Sequence, residues 1–424
     1  MESYTYLLDL ALILLSTKVF GLLTRRVRLP QVVGALLAGL ILGPACLGIL
    51  HQTDFIYQVS EIGVIVLMFC AGLETDIDEL KRTGKASFVI ALFGVLIPLV
   101  GGFAVAAYFN RPGMLESTAS TSLMLQNIFI GVILTATSVS ISVETLKEMG
   151  KLNTRAGNAI LGAAIIDDIL GIIALTIVTS MADSSVNVTV VLLKILGFFV
   201  FSGIIGVIFY KVYKRWTESS EKGLQRHAII AFVFCLLMAY IAEVVFGVAD
   251  ITGAFIAGLI ISNTNKSMFV RIKFDTISYM LLSPVFFASI GLKVVLPEMT
   301  PAIIWFSVVL VIVAIVTKVI GCGIGAKVCG YQNYQAKRIG VGMISRGEVA
   351  LIVASKGTAL GLLGGNFLGP VVIVVIFTTI ITPVLLKIVF KKAPPIPVSE
   401  TITESESLAK ELEQVMKSRG EERK

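Results

Sequence analysis

The sequence predicts an all-α membrane protein that crosses the bilayer about thirteen times. Three observations carry that expectation. Of 424 residues, 56% are hydrophobic and only 15% charged, whereas a soluble chain of this length divides its core into domains and keeps a charged exterior. Apolar runs of roughly 20 residues, enough to cross a ~30 Å hydrocarbon core, follow one another along most of the chain. The basic residues collect in alternate loops, the signature of membrane topology.

The runs fall at 4–23, 31–50, 56–73, 87–109, 124–146, 156–182, 188–212, 227–246, 248–263, 277–296, 302–326, 338–361 and 367–390, the ninth being short and glycine-rich. Alternate loops hold Arg25, Arg26 and Arg28, then Lys81, Arg82 and Lys85, then Lys147, Lys151 and Arg155. The pattern continues with Lys211 to Arg226, Lys266 to Lys273, Lys327 to Arg338, and finally Lys391 and Lys392. The loops between them carry almost no positive charge, Arg111 excepted, which places the N-terminus outside and the C-terminus in the cytoplasm of a cell-membrane protein. The first run is full length and ends in arginines, so it reads as a span and not as a cleaved signal peptide.

Net charge is +7, but its basic residues sit in short loops, so no nucleic-acid partner is expected. Cys46, Cys70, Cys235, Cys322 and Cys329 are scattered without metal-binding spacing and read as small buried hydrophobes. Gly321, Gly323 and Gly325 lack the spacing of a phosphate loop and read as close helix packing. Residues 1–391 form the membrane domain; Pro394, Pro395 and Pro397 end its last helix, and 392–424 form a short solvated tail in which Leu408, Leu412 and Val415 share one helix face.

An internal repeat organises the spans. Residues 34–42 (GALLAGLIL) match 253–261 (GAFIAGLII) at six of nine positions, an offset of 219. The same offset aligns Phe69–Leu73 with Ala288–Leu292. Seven spans separate the copies, an odd number, so they cross in opposite senses: an inverted-topology repeat with halves near 1–182 and 227–391 and a linker helix at 188–212. Such repeats bring discontinuous helices to the midplane. The run Thr135-Ala136-Thr137-Ser138-Val139-Ser140 is a poor helix centre, and Ser345-Arg346-Gly347-Glu348 interrupts its counterpart at similar depth.

Charged residues mark the site. Asp167 and Asp168 lie at the centre of LGAAIIDDILGIIAL, where each costs roughly 2.5–3.5 kcal/mol to insert. Neighbouring helix positions point about 100° apart, so the two carboxylates need different partners. Lys318, within VAIVTKVIG, is the counter-charge expected for one of them. A buried carboxylate takes either a proton or a hard monovalent cation, and competition between the two is antiport in its simplest form. Arg346 and Glu348 are expected to support the second helix break, neutralising helix-end dipoles. Glu243 and Lys356 read as interface or snorkelling charges, and His51 and His227 as bystanders.

TATSVSIS at 135–142, AAIIDDILG at 163–171, FFASIGL at 286–292, Lys318 and SRGE at 345–348 together resemble the bacterial sodium/proton antiporters of the second branch of the monovalent cation:proton antiporter family. The resemblance covers the second to the last span. It implies a core domain and a dimerisation domain in a homodimer that works by an elevator-like movement. By position, Asp168 matches the sodium-binding carboxylate, Asp167 the one paired with the lysine, and Thr137 and Ser138 the polar residues of the first break. A double-Asp pattern implies electrogenic exchange, whereas potassium-efflux relatives carry Gln-Asp and a nucleotide-binding domain.

The expected function is therefore exchange of sodium, or of lithium or potassium in its place, for protons across the cell membrane. No enzymatic activity and no cofactor is expected. Potassium/proton exchange, a sodium-coupled symporter and a sensor without flux remain open alternatives. An intramembrane aspartyl protease is disfavoured, because its two aspartates lie on different helices and its GxGD motif is absent.

Overall fold

The computed structural model describes residues 4–26, 30–75, 77–111, 114–115, 119–182, 187–219, 224–294 and 300–391. The expected tail at 392–424, with Leu408, Leu412 and Val415, and Arg28 lie outside them. Among the described residues the regular structure is helical, in the order α1 (Thr5–Arg26), α2 (Gln31–Leu42), α3 (Asp54–Glu74), α4 (Ile77–Phe109), α5 (Leu123–Ile133), α6 (Val139–Glu148), α7 (Arg155–Ala182) and α8 (Val188–Ser219). There follow α9 (Leu224–Tyr240), α10 (Asp250–Ser262), α11 (Ser267–Ile277), α12 (Ser283–Leu292), α13 (Pro301–Val328), α14 (Asn333–Gly342), α15 (Glu348–Ala359) and α16 (Gly365–Lys391). Wider π-helical turns extend α9 to Phe246 and join α11 to α12. Nine of these stretches are long and apolar enough to cross a membrane, and four shorter apolar helices accompany them among the described residues.

The expected span at 31–50 is shorter than read. Helix α2 stops at Leu42, where Gly43 turns extended and Pro44 has no N–H to continue the ladder. The chain restarts at α3, whose Thr53 side chain accepts from Ile56 N and whose Asp54 complements the dipole of the first turn. The run read as 124–146 is two helices, α5 and α6, and the run at 338–361 is likewise split into α14 and α15. Cys70, Cys235 and Cys322 are buried as expected, but Cys46 is exposed.

The helices pack in two groups. One consists of α4, α5, α7, α13, α14, α15 and α16, with α6 against α7 and α16; the other is α1, α2, α3, α9, α10, α11 and α12. Helix α8 touches α7 in the first group and α10 in the second.

Glycines set the closest contacts of the second group. A Cβ on Gly39 would lie 2.0 Å from Ala288 O, and one on Gly258 would lie 2.2 Å from Phe69 O. A Cβ on Gly72 would meet Phe255 O and Leu259 N, and one on Gly291 would meet Leu36 O and Leu40 N. The offset of 219 exchanges the partners of each contact: 39 and 258 differ by 219, as do 69 and 288, 72 and 291, 36 and 255, and 40 and 259. In the first group, Gly321 and Gly325 of α13 press on the backbone of α4 at Phe93 and Ile90, as close helix packing requires, while Gly323 has more room.

Candidate ion-binding site

The two helix breaks meet. Residues 134–138 separate α5 from α6, and residues 343–347 separate α14 from α15. Broken helices leave backbone donors and acceptors without intrahelical partners, and buried ones must find others. Ser138 N donates to Ser345 O at 2.8 Å, and Ser345 Oγ donates back to Ser138 O at 2.8 Å. Ser142 Oγ donates to Gly342 O at 2.6 Å and lies 3.0 Å from Ser345 Oγ. Gly347 is a packing necessity, since a Cβ there would lie 2.6 Å from Ser138 Oγ.

At the first break stands an acid–amine pair. Lys318 Nζ of α13 lies 2.8 Å from Asp167 Oδ1 and 3.1 Å from Oδ2, and neither side chain is exposed. The ammonium also donates to Gly94 O at 2.8 Å and to Thr135 O at 2.9 Å. Both carbonyls are available for a reason. Thr135 follows the end of α5, so its carbonyl has no helical successor to pair with. Gly94 lies in α4 four residues before Pro98, which has no N–H to close the ordinary bond to residue 94. The three protons of the ammonium therefore all find acceptors.

Asp168 faces elsewhere. It is partly exposed where Asp167 is buried, as the 100° offset requires, and makes no hydrogen bond or ion pair with the described residues. Thr137 is buried, and its Oγ1 has no hydrogen-bond partner among the described residues. Ser138 Oγ lies 3.2 Å from Ser140 Oγ. The site thus joins Asp167, Lys318, Thr135 and Gly94 into one saturated cluster and leaves the oxygens of Asp168 and Thr137 unused.

The second break carries its own cation. Arg346 is fully buried, and its Nη1 donates to Met343 O at 3.4 Å, at the C-terminal end of α14. Its backbone is held by α16: Arg346 N donates to Thr378 Oγ1, and Thr379 Oγ1 donates to Arg346 O. Among the described residues, Arg346 Nε and Nη2 have no hydrogen-bond partner. Each interrupted helix, α5 and α14, therefore ends against a buried cation that complements the negative end of its dipole. Glu348 opens α15, but its side chain lies outside the described residues.

Gly94, Pro98, Thr378 and Thr379 carry no charge or motif that marks them in the sequence. A proline deep inside an apolar run was the available signal for the freed carbonyl. Also unanticipated was an ion network at the far end of α6. Lys147 Nζ lies 3.1 Å from Glu74 Oε1 of α3 and 2.5 Å from Asp275 Oδ1 of α11, with Arg271 Nε 3.5 Å from both carboxylates. The neighbouring Glu148 accepts from Gln31 N at 2.7 Å and Val32 N at 3.2 Å, capping α2. Lys147 and Arg271 read in sequence as topology-setting loop charges, and only the folded arrangement makes them bridges.

An all-helical membrane chain in which two interrupted helices meet beside a buried acid–amine pair defines a secondary transporter. The chain belongs to the sodium/hydrogen exchanger family: the model of its transmembrane domain, "Sodium/hydrogen exchanger, transmembrane", matches residues 11–392. The chain is 42% identical to the Na(+)/H(+)-K(+) antiporter GerN of Bacillus cereus, covering 91% of this chain and 97% of that one. It is 39% identical to a Na(+)/H(+) antiporter of Enterococcus hirae, over 90% and 97% of the two chains. Among solved structures, the sodium proton antiporter MjNhaP1 of Methanocaldococcus jannaschii at pH 8 superposes with a TM-score of 0.66 at 18% identity, covering 92% of this chain and 99% of that one, which shows a shared fold.

Proposed function

We propose that this protein exchanges sodium for protons across the cell membrane by alternating access, with Asp168 as the carboxylate for which the two ions compete. One observation carries the reading: two adjacent intramembrane aspartates are divided, Asp167 locked onto Lys318 and Asp168 left unpaired and partly exposed. An ion-paired carboxylate is occupied; an unpaired one at membrane depth is expensive unless it holds a proton or a cation. Thr137 Oγ1, buried without a partner, and Ser138 add neutral oxygens suited to a hard monovalent ion. Lys318 would leave Asp167 during the cycle and carry a second proton, making exchange electrogenic, as the double-Asp branch implies. Arg346 holds the second break, with Glu348 at the start of α15.

The group containing α4–α7 and α13–α16 serves as the moving core, and the group of α1–α3 and α9–α12 as the scaffold through which two copies pair. Helix α8 links them. The contacts repeated at an offset of 219 support an inverted-topology repeat of about thirteen spans. The loop charges support an outside N-terminus and a cytoplasmic C-terminus. In this scheme the Lys147–Glu74–Asp275 network and the Glu148 cap are tethers between core and scaffold that break as the core moves.

Reconstituted vesicles with an imposed pH gradient test the assignment. A sodium pulse is expected to collapse the gradient for the wild type and not for Asp168→Asn; full exchange by that variant would remove Asp168 from the carrier role. Potassium/proton exchange is a second reading, favoured by one relative's name, Na(+)/H(+)-K(+) antiporter, and the same vesicles pulsed with potassium separate the two.

A further inference from the structure

Helix α8 has only partial cover. Along one side of it, Phe199, Gly203, Gly206 and Tyr210 face Ile260 of α10 and Asn263, which follows α10, across an open groove of about 540 Å³. The α8 residues recur at three- and four-residue steps, so they form one stripe. From Phe199 to Tyr210 that stripe rises about 16 Å, close to half of a ~30 Å hydrocarbon core, the depth of one leaflet. The glycines make the groove: a Cβ on Gly203 would meet nothing within 4 Å, whereas one on Gly206 would lie 2.7 Å from Ile260 Cδ1.

One end of the groove is positive. Lys214 lies one turn beyond Tyr210 on the same stripe, its ammonium 5.7 Å from the Tyr210 ring centre. Lys266 follows Asn263 by three residues in the turn after α10. Neither lysine has a carboxylate within ion-pair distance among the described residues, and Lys211 and Arg215 stand beside them, exposed. Tyr210 sits where the apolar part of α8 gives way to charge, the depth at which amphipathic rings settle at a membrane boundary.

We propose that this groove binds one anionic phospholipid, an acyl chain lying along Gly203 and Gly206 and the phosphate meeting Lys214 and Lys266. An apolar channel one leaflet deep with a cationic mouth matches both ends of such a lipid, and basic pockets between spans recognise anionic headgroups. The occupant spans α8 and α10, so it bridges the linker helix and the group containing α10.

The test uses the full-length protein, delipidated in mild detergent and then mixed with phosphatidylglycerol or phosphatidylcholine of identical chains. Retained lipid is read by native mass spectrometry and thermal stability by a melting curve. The wild type is expected to retain one phosphatidylglycerol in preference to phosphatidylcholine and to melt higher with it. Lys214→Gln/Lys266→Gln should erase the preference while keeping the fold. Gly203→Leu, which enters open space, should lower retention of both lipids. Equal retention of the two lipids by the wild type, an unchanged preference in the double variant, or stabilisation by glycerol phosphate alone would overturn the proposal. So would a Gly203→Leu variant whose only change is a split from dimer to monomer, which would assign the groove to a second copy.

Discussion

Lys318 Nζ and Asp167 form a fully buried ion pair, 2.8 Å apart, whose remaining ammonium protons end on the carbonyls of Gly94 and Thr135. Removing one partner of a buried pair leaves an uncompensated charge, at a cost of about 3–5 kcal/mol. Lys318→Gln is therefore expected to lower the melting temperature in detergent strongly. Adding Asp167→Asn should recover much of the loss, because both charges are then gone. The same Lys318→Gln variant should still exchange ions but lose its response to membrane voltage, since the residue that would carry the second proton is missing. Recording exchange currents at several imposed potentials checks this, and a voltage dependence like that of the wild type would count against Lys318 as a proton carrier.

Asp168→Asn has the opposite signature. Asp168 has no ion pair among the described residues to lose, so its neutral isostere should leave thermal stability within about 0.5 kcal/mol or raise it slightly. Sodium-driven proton movement should fall to background. The contrast between Asp167 and Asp168 is the diagnostic: adjacent residues of identical chemistry, one mattering for stability and the other for flux.

Much of this site was legible before folding. An Asp-Asp pair inside an apolar run, a lone lysine inside another and two polar interruptions are loud signals, because lipid makes every intramembrane charge expensive. The Gly39–Ala288 and Gly258–Phe69 contacts also left a trace, as the repeated GAxxAGLI motif. What could not be read was how backbone groups are used. Nothing in the composition says that Gly94 O points at Lys318 or that Thr378 and Thr379 hold the backbone of Arg346, since every residue carries the same carbonyl and threonines are common in spans. The span at 31–50 was overread for a related reason: hydropathy continues past Gly43-Pro44, where backbone geometry does not. Lys147 reads as a topology charge because its partners, Glu74 and Asp275, are distant in sequence.

Pro98 tests the role of the freed carbonyl. Pro98→Ala restores an N–H four residues after Gly94, which then competes with Lys318 for Gly94 O. The helix itself gains from losing an internal proline, yet the ammonium loses one of its acceptors. The expected outcome is a more regular α4 with impaired exchange. Gly94→Ala approaches the same point by steric means, since its Cβ would lie 2.6 Å from Cys322 Sγ and 3.6 Å from Lys318 Nζ. Both variants should slow exchange without touching Asp168; normal rates in both would make the Gly94 carbonyl incidental.

The bridges at the end of α6 make a prediction about conformational balance. The Lys147 and Asp275 side chains are partly exposed and that of Glu74 is nearly buried, and such a pair near the surface is worth about 1 kcal/mol, a roughly fivefold shift between two states. Lys147→Met should therefore raise hydrogen–deuterium exchange in residues 139–148 and at the start of α2 several-fold, and Glu148→Gln should do so at α2 alone. Protection unchanged in both variants would mean that these contacts do not hold the core against the scaffold.

Thr137 offers the sharpest separation of stability from function. Its Oγ1 is buried without a hydrogen-bond partner among the described residues, a state that costs about 1–3 kcal/mol and persists in few folded proteins without a reason. If that oxygen is a ligand for the transported cation, Thr137→Val removes a cost paid only in the empty state. The variant should then melt at the same temperature as the wild type or higher in sodium-free buffer, yet gain less stability when sodium is added. Its half-saturating sodium concentration should rise about tenfold, the loss of roughly 1.4 kcal/mol of binding from one neutral oxygen. Thr137→Ser keeps the oxygen and should restore wild-type sodium dependence. A valine variant that is less stable without sodium but binds it normally would assign Thr137 to packing at the break between α5 and α6, and would leave Asp168 and Ser138 as the oxygen donors there.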